Sequence, residues 1–287
     1  MKRRPRNART SAIRLRVYRP NSAASPAEEV PDVTDWGPIA RIYDLEHPAS
    51  RGAELRFWDE LAREHGGAVL ELAAGSGRVA IGLARKGHRV TGLELSEGML
   101  ARARGRSAHL LPAVRERLTW VQGDMSEFDL DTQFGLVFVG YNSFWLLRTE
   151  ALQQKCLECA KRHVAPGGAI VLDLFPPTVD DYADEDGITQ YVAMAYKGQA
   201  LVRVKDYSWN ARTRLGLSDV RYYGEKHTGS ARRLLAQFRY ALRLAPPERV
   251  DALIQRSGLD VAERYGSYDK GPLEATSARA IYVCRPA

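Results

Sequence analysis

The stretch from residue 68 to residue 98 constrains the fold of this chain more than any other. It begins with a short apolar run at 68–72, which is typical of a buried parallel strand. A loop of small residues, Ala73-Ala74-Gly75-Ser76-Gly77, follows directly. From Arg78 the apolar residues recur at helical spacing, and a second short apolar run ends at Glu94. The order of these segments predicts a β-α-β unit in a parallel sheet.

The loop, and the acid after the second strand, together predict a cofactor that contains a nucleoside. Gly75 and Gly77 lack a Cβ, so a ligand can approach the backbone, and the next helix offers unpaired N–H groups in its first turn. The Glu94 carboxylate can accept hydrogen bonds from both hydroxyls of a ribose. In an open α/β sheet such features meet at the switch point, where ligands bind.

Two cofactor classes fit this unit, because Rossmann dehydrogenases also place an acid after the second strand. Dehydrogenases need a third glycine where this chain has Ala80. Glu71 suits a ligand with an ammonium and a sulfonium and suits a pyrophosphate poorly. Residues 69–78 resemble the first motif of the class I S-adenosylmethionine-dependent methyltransferases, with Ala73 in place of the first glycine of acid-x-Gly-x-Gly-x-Gly. This stretch alone leaves another Rossmann-type ligand open.

Further segments resemble motifs of the same family, in the family's order. Gln122-Gly123-Asp124-Met125 follows a predicted third strand and resembles the adenine motif, in which the acid accepts from the exocyclic amine. Residues 140–146 follow a predicted fourth strand and resemble the Gly-Asn-Ser-Phe segment of glycine N-methyltransferase, which faces cofactor and substrate together. Pro166-Gly167-Gly168 precedes a predicted fifth strand at 169–174, as in the family.

The segment Tyr43-Asp-Leu-Glu-His47-Pro48 resembles the cap of small-molecule methyltransferases, where an aromatic residue closes over the methionine part of the cofactor. Tyr43, Glu46 and His47 are the candidate catalytic residues, since one base is all that the chemistry needs. Arg51 resembles the arginine that holds the cofactor carboxylate in the glycine N-methyltransferase group. Helix packing for Tyr43, a surface charge for Arg51 and a helix-end role for His47 stay open.

The resemblance thus implies S-adenosyl-L-methionine as the cofactor. The residues expected to bind it are Tyr43, Arg51, Glu71, Ala73, Gly75, Glu94, Leu95, Met99, Asp124, Met125, Gly140 and Leu146. The residues expected to contact the substrate are Asn142, Phe144, Trp145, Phe175 and His227. The six histidines are dispersed without paired ligand spacing, so no metal site is predicted.

Phe175 also limits the substrate class. The glycine N-methyltransferases hold the substrate carboxylate with an arginine just after the fifth strand, whereas this chain has Phe175 followed by two prolines. We therefore expect a largely apolar or aromatic small molecule, and not free glycine. Nitrogen is the first choice of nucleophile by resemblance, with an indole carbon or a phenol oxygen as alternatives.

The predicted fold is a Rossmann-like, seven-stranded methyltransferase sheet with an N-terminal helical cap. Alternating segments at 190–244 predict an antiparallel β insertion between the fifth strand and the last helix, covering the substrate pocket or forming a homodimer contact. The methyltransferase domain is expected at 32–189 and 245–287. We interpret the aromatic residues of the insertion as strand packing: Tyr196, Tyr207, Trp209, Tyr222, Tyr223 and Tyr240.

The positive charge of the chain is concentrated near its N-terminus. The net charge is +7, and eight basic residues precede the first acid, Glu28. Without those eight, 34 basic residues face 35 acidic ones, so the body offers no basic surface for nucleic acid. Residues 1–31 are expected to be a disordered tail. No run of about 20 apolar residues predicts a membrane helix, and we expect a cytoplasmic protein. A nucleic-acid methyltransferase and a non-catalytic, cofactor-binding member of the fold are the alternatives.

Overall fold

The structure of the protein is a computed structural model that describes residues 13–18, 36–47, 52–175, 186–196, 199–226 and 232–287. These residues form a seven-stranded mixed sheet flanked by helices and a separate five-stranded sheet. The predicted fold class is confirmed. Within these ranges, no helix is both long and apolar enough to cross a membrane.

The larger sheet carries the β-α-β unit at its centre. Its strands are β2 (Val69–Leu72), β3 (Val90–Glu94), β4 (Leu118–Gln122), β5 (Phe134–Val139), β6 (Val164–Leu174), β11 (Leu259–Tyr265) and β12 (Ala280–Pro286). They lie in the order β11-β12-β6-β5-β2-β3-β4, and β12 is antiparallel to both of its neighbours. The strand order reverses between β2 and β5, so the switch point lies beside the loop that follows β2.

Alternate residues of the central strands point into two separate cores, as the pleat of a strand requires. Leu70 and Leu72 pack in one core, and Val69 packs in the other. Helices cover both faces, which explains why β2 and β5 are buried along their whole length. These helices are α2 (Ala53–His65), α3 (Arg78–Arg85), α4 (Glu97–Ala108), α6 (Glu150–His163) and α7 (Pro247–Arg256). The short helix α5 (Pro112–Arg115) has no buried residue.

Strand β6 is longer than predicted. It begins at Val164, directly after α6, and it includes the Pro166-Gly167-Gly168 segment that we expected to precede it. The pairing with β5 shifts in register between Phe134 and Leu136, and Gly167 has a left-handed backbone (φ 78°). The segment therefore forms an irregular start of the strand, and regular pairing resumes at Ala169.

The smaller sheet is antiparallel and confirms the predicted antiparallel character of the insertion. Its strands are β7 (Ile188–Tyr196), β8 (Gln199–Asn210), β9 (Leu215–Lys226), β10 (Arg232–Arg243) and one strand from the N-terminal region, β1 (Ile13–Tyr18). Strand β1 pairs with β7, from Ile13 opposite Ala193 to Tyr18 opposite Ile188. The prediction of a disordered tail at 1–31 is thus wrong at these six residues, because ladder hydrogen bonds to the edge of the sheet order their backbone.

The helical cap joins the two sheets. A 3-10 turn at Gly37–Ile39 leads into helix α1 (Ala40–Glu46), as the sequence predicted for this region. Ile39 and Ile42 pack against Leu201, Val220 and Tyr222 of the smaller sheet in a third hydrophobic cluster. The cap and the inner face of the smaller sheet therefore form one side of the space above the switch point.

Candidate active site

A cavity of about 380 Å³ lies between the carboxyl ends of β2, β3 and β4, the cap and the inner face of the smaller sheet. This volume lies in the range of small-molecule and cofactor sites. Nine of the predicted cofactor residues line it: Tyr43, Ala73, Gly75, Glu94, Leu95, Met99, Asp124, Met125 and Leu146. Arg51 lies outside the described residues. We call the side of the cavity at the strand ends the cofactor half.

The two glycines of the loop have different tasks. Gly75 has a left-handed backbone (φ 57°), and a Cβ there would meet no atom within 4 Å, so the backbone is open to a ligand. A Cβ at Gly77 would lie 2.5 Å from the indole ring of Trp120. Gly77 thus permits close packing between the loop and β4, which differs from its predicted role in ligand approach.

Glu94 lies at the end of β3 and faces the cavity, as predicted. Its Oε2 accepts a hydrogen bond from the Gly75 N–H at 2.7 Å, and its Oε1 accepts one from the Ser96 N–H at 2.8 Å. A carboxylate can accept about four hydrogen bonds, so Glu94 retains acceptor capacity for a ligand hydroxyl. Burial raises the pKa of Glu94, and the backbone donors oppose that shift. The carboxylate is thereby fixed to the loop that it helps to shape.

Glu71 does not line the cavity, in contrast to its predicted role in cofactor binding. Its carboxylate is buried behind the loop, and its Oε2 accepts a hydrogen bond from the Ala80 N–H at 2.8 Å. Ala80 lies in the first turn of α3, where N–H groups have no partner within the helix. Burial raises the pKa of Glu71 to about 8. The residue caps α3 and supports the loop from below.

The segment after β5 is held in a strained conformation. Tyr141 and Asn142 both have left-handed backbones (φ 53° and 69°), which cost free energy in residues other than glycine. Buried Asp173 accepts a hydrogen bond from the Tyr141 N–H at 2.9 Å, and its main-chain carbonyl accepts one from the Asn142 N–H at 2.9 Å. Asp173 is held in turn by Arg279 and by the Tyr268 hydroxyl at 2.8 Å. This network directs Tyr141 and Asn142 towards the cavity.

The predicted substrate residues fall into three groups. Asn142 and Phe175 line the cavity, and the buried Oδ1 of Asn142 has no hydrogen-bond partner among the described residues. Phe144 and Trp145 are fully buried in the core beneath the cavity, so their predicted role in ring stacking with a substrate is wrong. The 3-10 helix at Ser143–Leu146 turns them inward. Gly140, a predicted cofactor residue, also lies off the cavity wall, and His227 lies outside the described residues.

The three candidate catalytic residues of the cap all line the cavity. The ring of His47 lies between those of Tyr43 and Tyr141, with centroid distances of 4.4 and 5.0 Å. Burial, and then the nearby cations of Arg78 and Arg203, lower the pKa of His47 to about 4. The imidazole is therefore neutral at pH 7. Burial raises the pKa of Tyr43, so that its phenol stays protonated.

Two acids of α1 attach the cap to opposite sides of the cavity. Asp44 accepts hydrogen bonds from Ser76 in the loop and from Arg102 of α4, at 2.5 and 2.7 Å. Glu46 accepts one from the Tyr222 hydroxyl at 2.9 Å and forms an ion pair with Arg203 at 3.1 Å. The Glu46 carboxylate is thus occupied by structural partners, which leaves His47 as the free acceptor among the three.

The wall opposite the cofactor half is formed by the insertion that was predicted to cover the substrate pocket, and we call it the roof; sequence reasoning missed most of the side chains that line it. It consists of alternate residues of the inner face of the smaller sheet, with Trp36 beside them: Arg203, Lys205, Val220, Tyr222, Phe238 and Tyr240. Tyr222 and Tyr240 pack in the third hydrophobic cluster, in agreement with the strand-packing interpretation, and both also line the cavity. The period-two spacing along β8, β9 and β10 was a usable signal, because it puts these residues on one face of the sheet. The sequence does not show which face is covered.

The described residues contain no group of three or more His, Cys, Asp or Glu side chains that is arranged to hold a metal ion. The three cysteines are buried and free. The cavity is lined by carboxylates, aromatic rings, one neutral imidazole and the cations of the roof.

The fold and the motifs of this site are those of the class I S-adenosylmethionine-dependent methyltransferases. A family model described as a methyltransferase domain matches residues 69–168. The dTDP-3-amino-3,6-dideoxy-alpha-D-glucopyranose N,N-dimethyltransferase of Streptomyces fradiae is 34% identical over 157 residues, which are 53% of this chain and 58% of that protein. The chain spans 58 to 66% of the length of the first curated relatives that it matches.

Two solved structures cover most of the chain. The CcbJ methyltransferase from Streptomyces caelestis is 26% identical, with a TM-score of 0.73 over 88% of this chain and 98% of that one. The glycopeptide N-methyltransferase MtfA, solved in complex with S-adenosyl-L-methionine, is 25% identical, with a TM-score of 0.57 over 85% of this chain and 91% of that one. These comparisons confirm the family that the sequence motifs predicted.

Proposed function

We propose that this protein transfers a methyl group from S-adenosyl-L-methionine to the nitrogen of a small aromatic or heteroaromatic metabolite. An indole carbon or a phenol oxygen is the alternative acceptor. The observation that carries the proposal is the roof: Trp36, Phe238 and Tyr240 form a continuous group of rings, with centroid distances of 5.0 to 5.6 Å. Such a wall favours a planar apolar partner by ring packing. The named relatives act on an amino sugar and on a glycopeptide, which supports an acceptor from secondary metabolism.

The cofactor half fits S-adenosyl-L-methionine. The open backbone at Gly75 accommodates the ligand, the free lone pairs of Glu94 would hold the ribose, and Asp124 with Met125 would hold the adenine. Leu95, Met99 and Leu146 supply apolar contacts. When bound, the cofactor supplies an activated methyl group on a sulfonium, which is a good leaving group.

The protein's own task is alignment, exclusion of water and, at most, removal of one proton. Tyr43 and Tyr141 enclose His47 at the cavity wall, and the pKa of about 4 keeps its imidazole unprotonated at neutral pH, so that it can accept a hydrogen bond from the nucleophile. Tyr43 stays a phenol and can orient the nucleophile by donating or accepting a hydrogen bond. The cap closes the cavity against solvent through its bonds to both sides.

A methyl-transfer screen tests this proposal. The wild-type protein and Phe175→Arg are assayed with S-adenosyl-L-methionine against glycine, sarcosine and a panel of indole, phenol and amine natural products. We expect turnover of ring-containing amines by the wild type and no turnover of glycine. In Phe175→Arg, a charged side chain replaces an aromatic ring of the cavity wall, so we expect turnover of the preferred acceptor to fall. Efficient turnover of glycine by the wild type would contradict the aromatic substrate, and turnover of nothing in the panel would contradict the proposed function.

A further inference from the structure

Lys205 is a cation of the roof that the proposed function does not use. It lies on β8, it is partly buried, and it lines the cavity. Its ammonium lies 5.3 Å from the ring centroid of Tyr207 and 6.0 Å from that of Tyr240. Among the described residues no carboxylate forms an ion pair with it. Removing an ammonium from bulk water is costly unless a partner compensates, and two aromatic faces compensate only in part.

The acids that line the cavity are already assigned to other partners. Glu46 pairs with Arg203, which is two residues before Lys205 on the same face of β8. Glu94 is bonded to the loop, and Asp124 accepts hydrogen bonds from the Ser126 N–H and hydroxyl at 2.7 and 2.8 Å. Among the described residues, no carboxylate balances the positive charge of Lys205 in this part of the cavity.

We infer that Lys205 binds an anionic group of the substrate, a carboxylate or a phosphate, at the far end of the aromatic ring from the methylated atom. This inference deepens the proposed function and rests on it. Arg203 contacts Glu46 beside His47, and Lys205 follows about 7 Å further along the strand. The methylated atom and the anion are thus separated by about the length of one ring. An α-amino acid carries both groups on one carbon, which is too short to reach both ends.

Calorimetry of the full-length protein saturated with S-adenosyl-L-homocysteine tests the inference with matched probes. Indole-3-acetate is compared with indole-3-acetamide, and phenyl phosphate with phenol, so that the two pairs distinguish a carboxylate site from a phosphate site. We expect at least one anionic probe to bind tenfold or more tightly than its neutral partner. Lys205→Met should bring that ratio close to one, and Lys205→Arg should keep it. Lys155→Met, an exposed lysine on α6, serves as the control and should bind like the wild type.

Three results with the anionic and neutral probes would overturn the inference. They are equal binding of the charged and neutral probes, a preference that persists in Lys205→Met, and no saturable binding of either anion at millimolar concentration. Weaker binding of S-adenosyl-L-homocysteine by Lys205→Met would also overturn it, because the lysine would then serve the cofactor. A lysine-dependent preference without any methyl transfer in the screen would support the anion site and contradict the proposed function, so the two failures are distinguishable.

Discussion

The cofactor half and the roof enclose the same cavity, but they are constructed in opposite ways. The cofactor half consists of short consecutive segments at the ends of parallel strands, such as Ala73 to Gly75 and Glu94 to Ser96. Main-chain N–H groups of these segments donate hydrogen bonds to the Glu94 carboxylate and help to fix their shape. The roof consists of single side chains at alternate positions of three long strands. The comparison teaches that the backbone of the loops shapes the part of the cavity proposed for the cofactor. The register between distant strands shapes the part proposed for the substrate.

The largest expected effect is on the free energy of unfolding. It is a contrast between two acids, Asp173 on β6 of the larger sheet and Asp219 on β9 of the smaller sheet. Asp173 is fully buried and pairs with Arg279, so Asp173→Asn leaves a buried cation without its partner. We expect a loss of about 3 to 5 kcal/mol in the free energy of unfolding. Asp219→Asn, in a partly exposed ion-pair group on the smaller sheet, should cost only about 0 to 1 kcal/mol. Denaturant titration of both variants measures the contrast, and equal losses would contradict it.

The second prediction concerns cofactor affinity. Glu94→Ala removes an acceptor for two ribose hydroxyls, each bond contributing about 1.5 to 3 kcal/mol, so the dissociation constant of S-adenosyl-L-homocysteine should rise at least tenfold. Glu97→Ala, an exposed acid three residues further on, is the matched control and should leave it unchanged. Tyr240→Ala in the roof should also leave it unchanged. Unaltered affinity in Glu94→Ala would remove this residue from the site.

The third prediction concerns pH. The unfolded chain protonates the His47 imidazole below about pH 6.5, whereas the folded protein protonates it only near pH 4. The unfolded state therefore binds more protons in this window, and the stability of the wild type should fall by roughly 2 to 3 kcal/mol as the pH falls from 6.5 to 4. His47→Gln should lack this part of the decline, as followed by thermal or denaturant unfolding at several pH values. An identical decline in both proteins would show that His47 is solvated.

The smallest effect is expected for removal of residues 1–31. The truncation deletes β1, the edge strand of the smaller sheet, whose backbone pairs with β7. Methyl transfer by the shortened protein should match that of the full chain, and circular dichroism should show an intact fold. A folded but inactive truncation would place the N-terminal region in the active site.

The contrast between the halves also explains what the sequence predicted. Ala73, Gly75, Glu94 and Asp124 follow one another along the chain in the order in which parallel strands deliver them to one sheet edge, so local pattern sufficed. The direction of the Phe144 side chain could not be predicted in this way. It depends on the 3-10 helix at Ser143–Leu146, which leaves no periodic pattern in the sequence.

The roof required long-range information. Arg203 and Tyr222 face each other only because β8 and β9 pair in one particular register. The strand at Ile13–Tyr18 had a local signal, since apolar residues alternate with arginines there, but the abundance of arginine favoured a disordered tail instead. The prediction thus relied on the amino-acid composition. The structure instead agrees with the alternating pattern, because these residues form a strand.

The two acids of α1 have a consequence for the turnover cycle. Asp44 connects the cap to the loop by a hydrogen bond from Ser76, and Glu46 connects it to the smaller sheet by an ion pair with Arg203. The cap is therefore attached on both sides of the cavity. A cap that opens for ligand exchange must therefore break the Asp44 hydrogen bonds on the side of the loop, the Glu46 contacts on the side of the smaller sheet, or both.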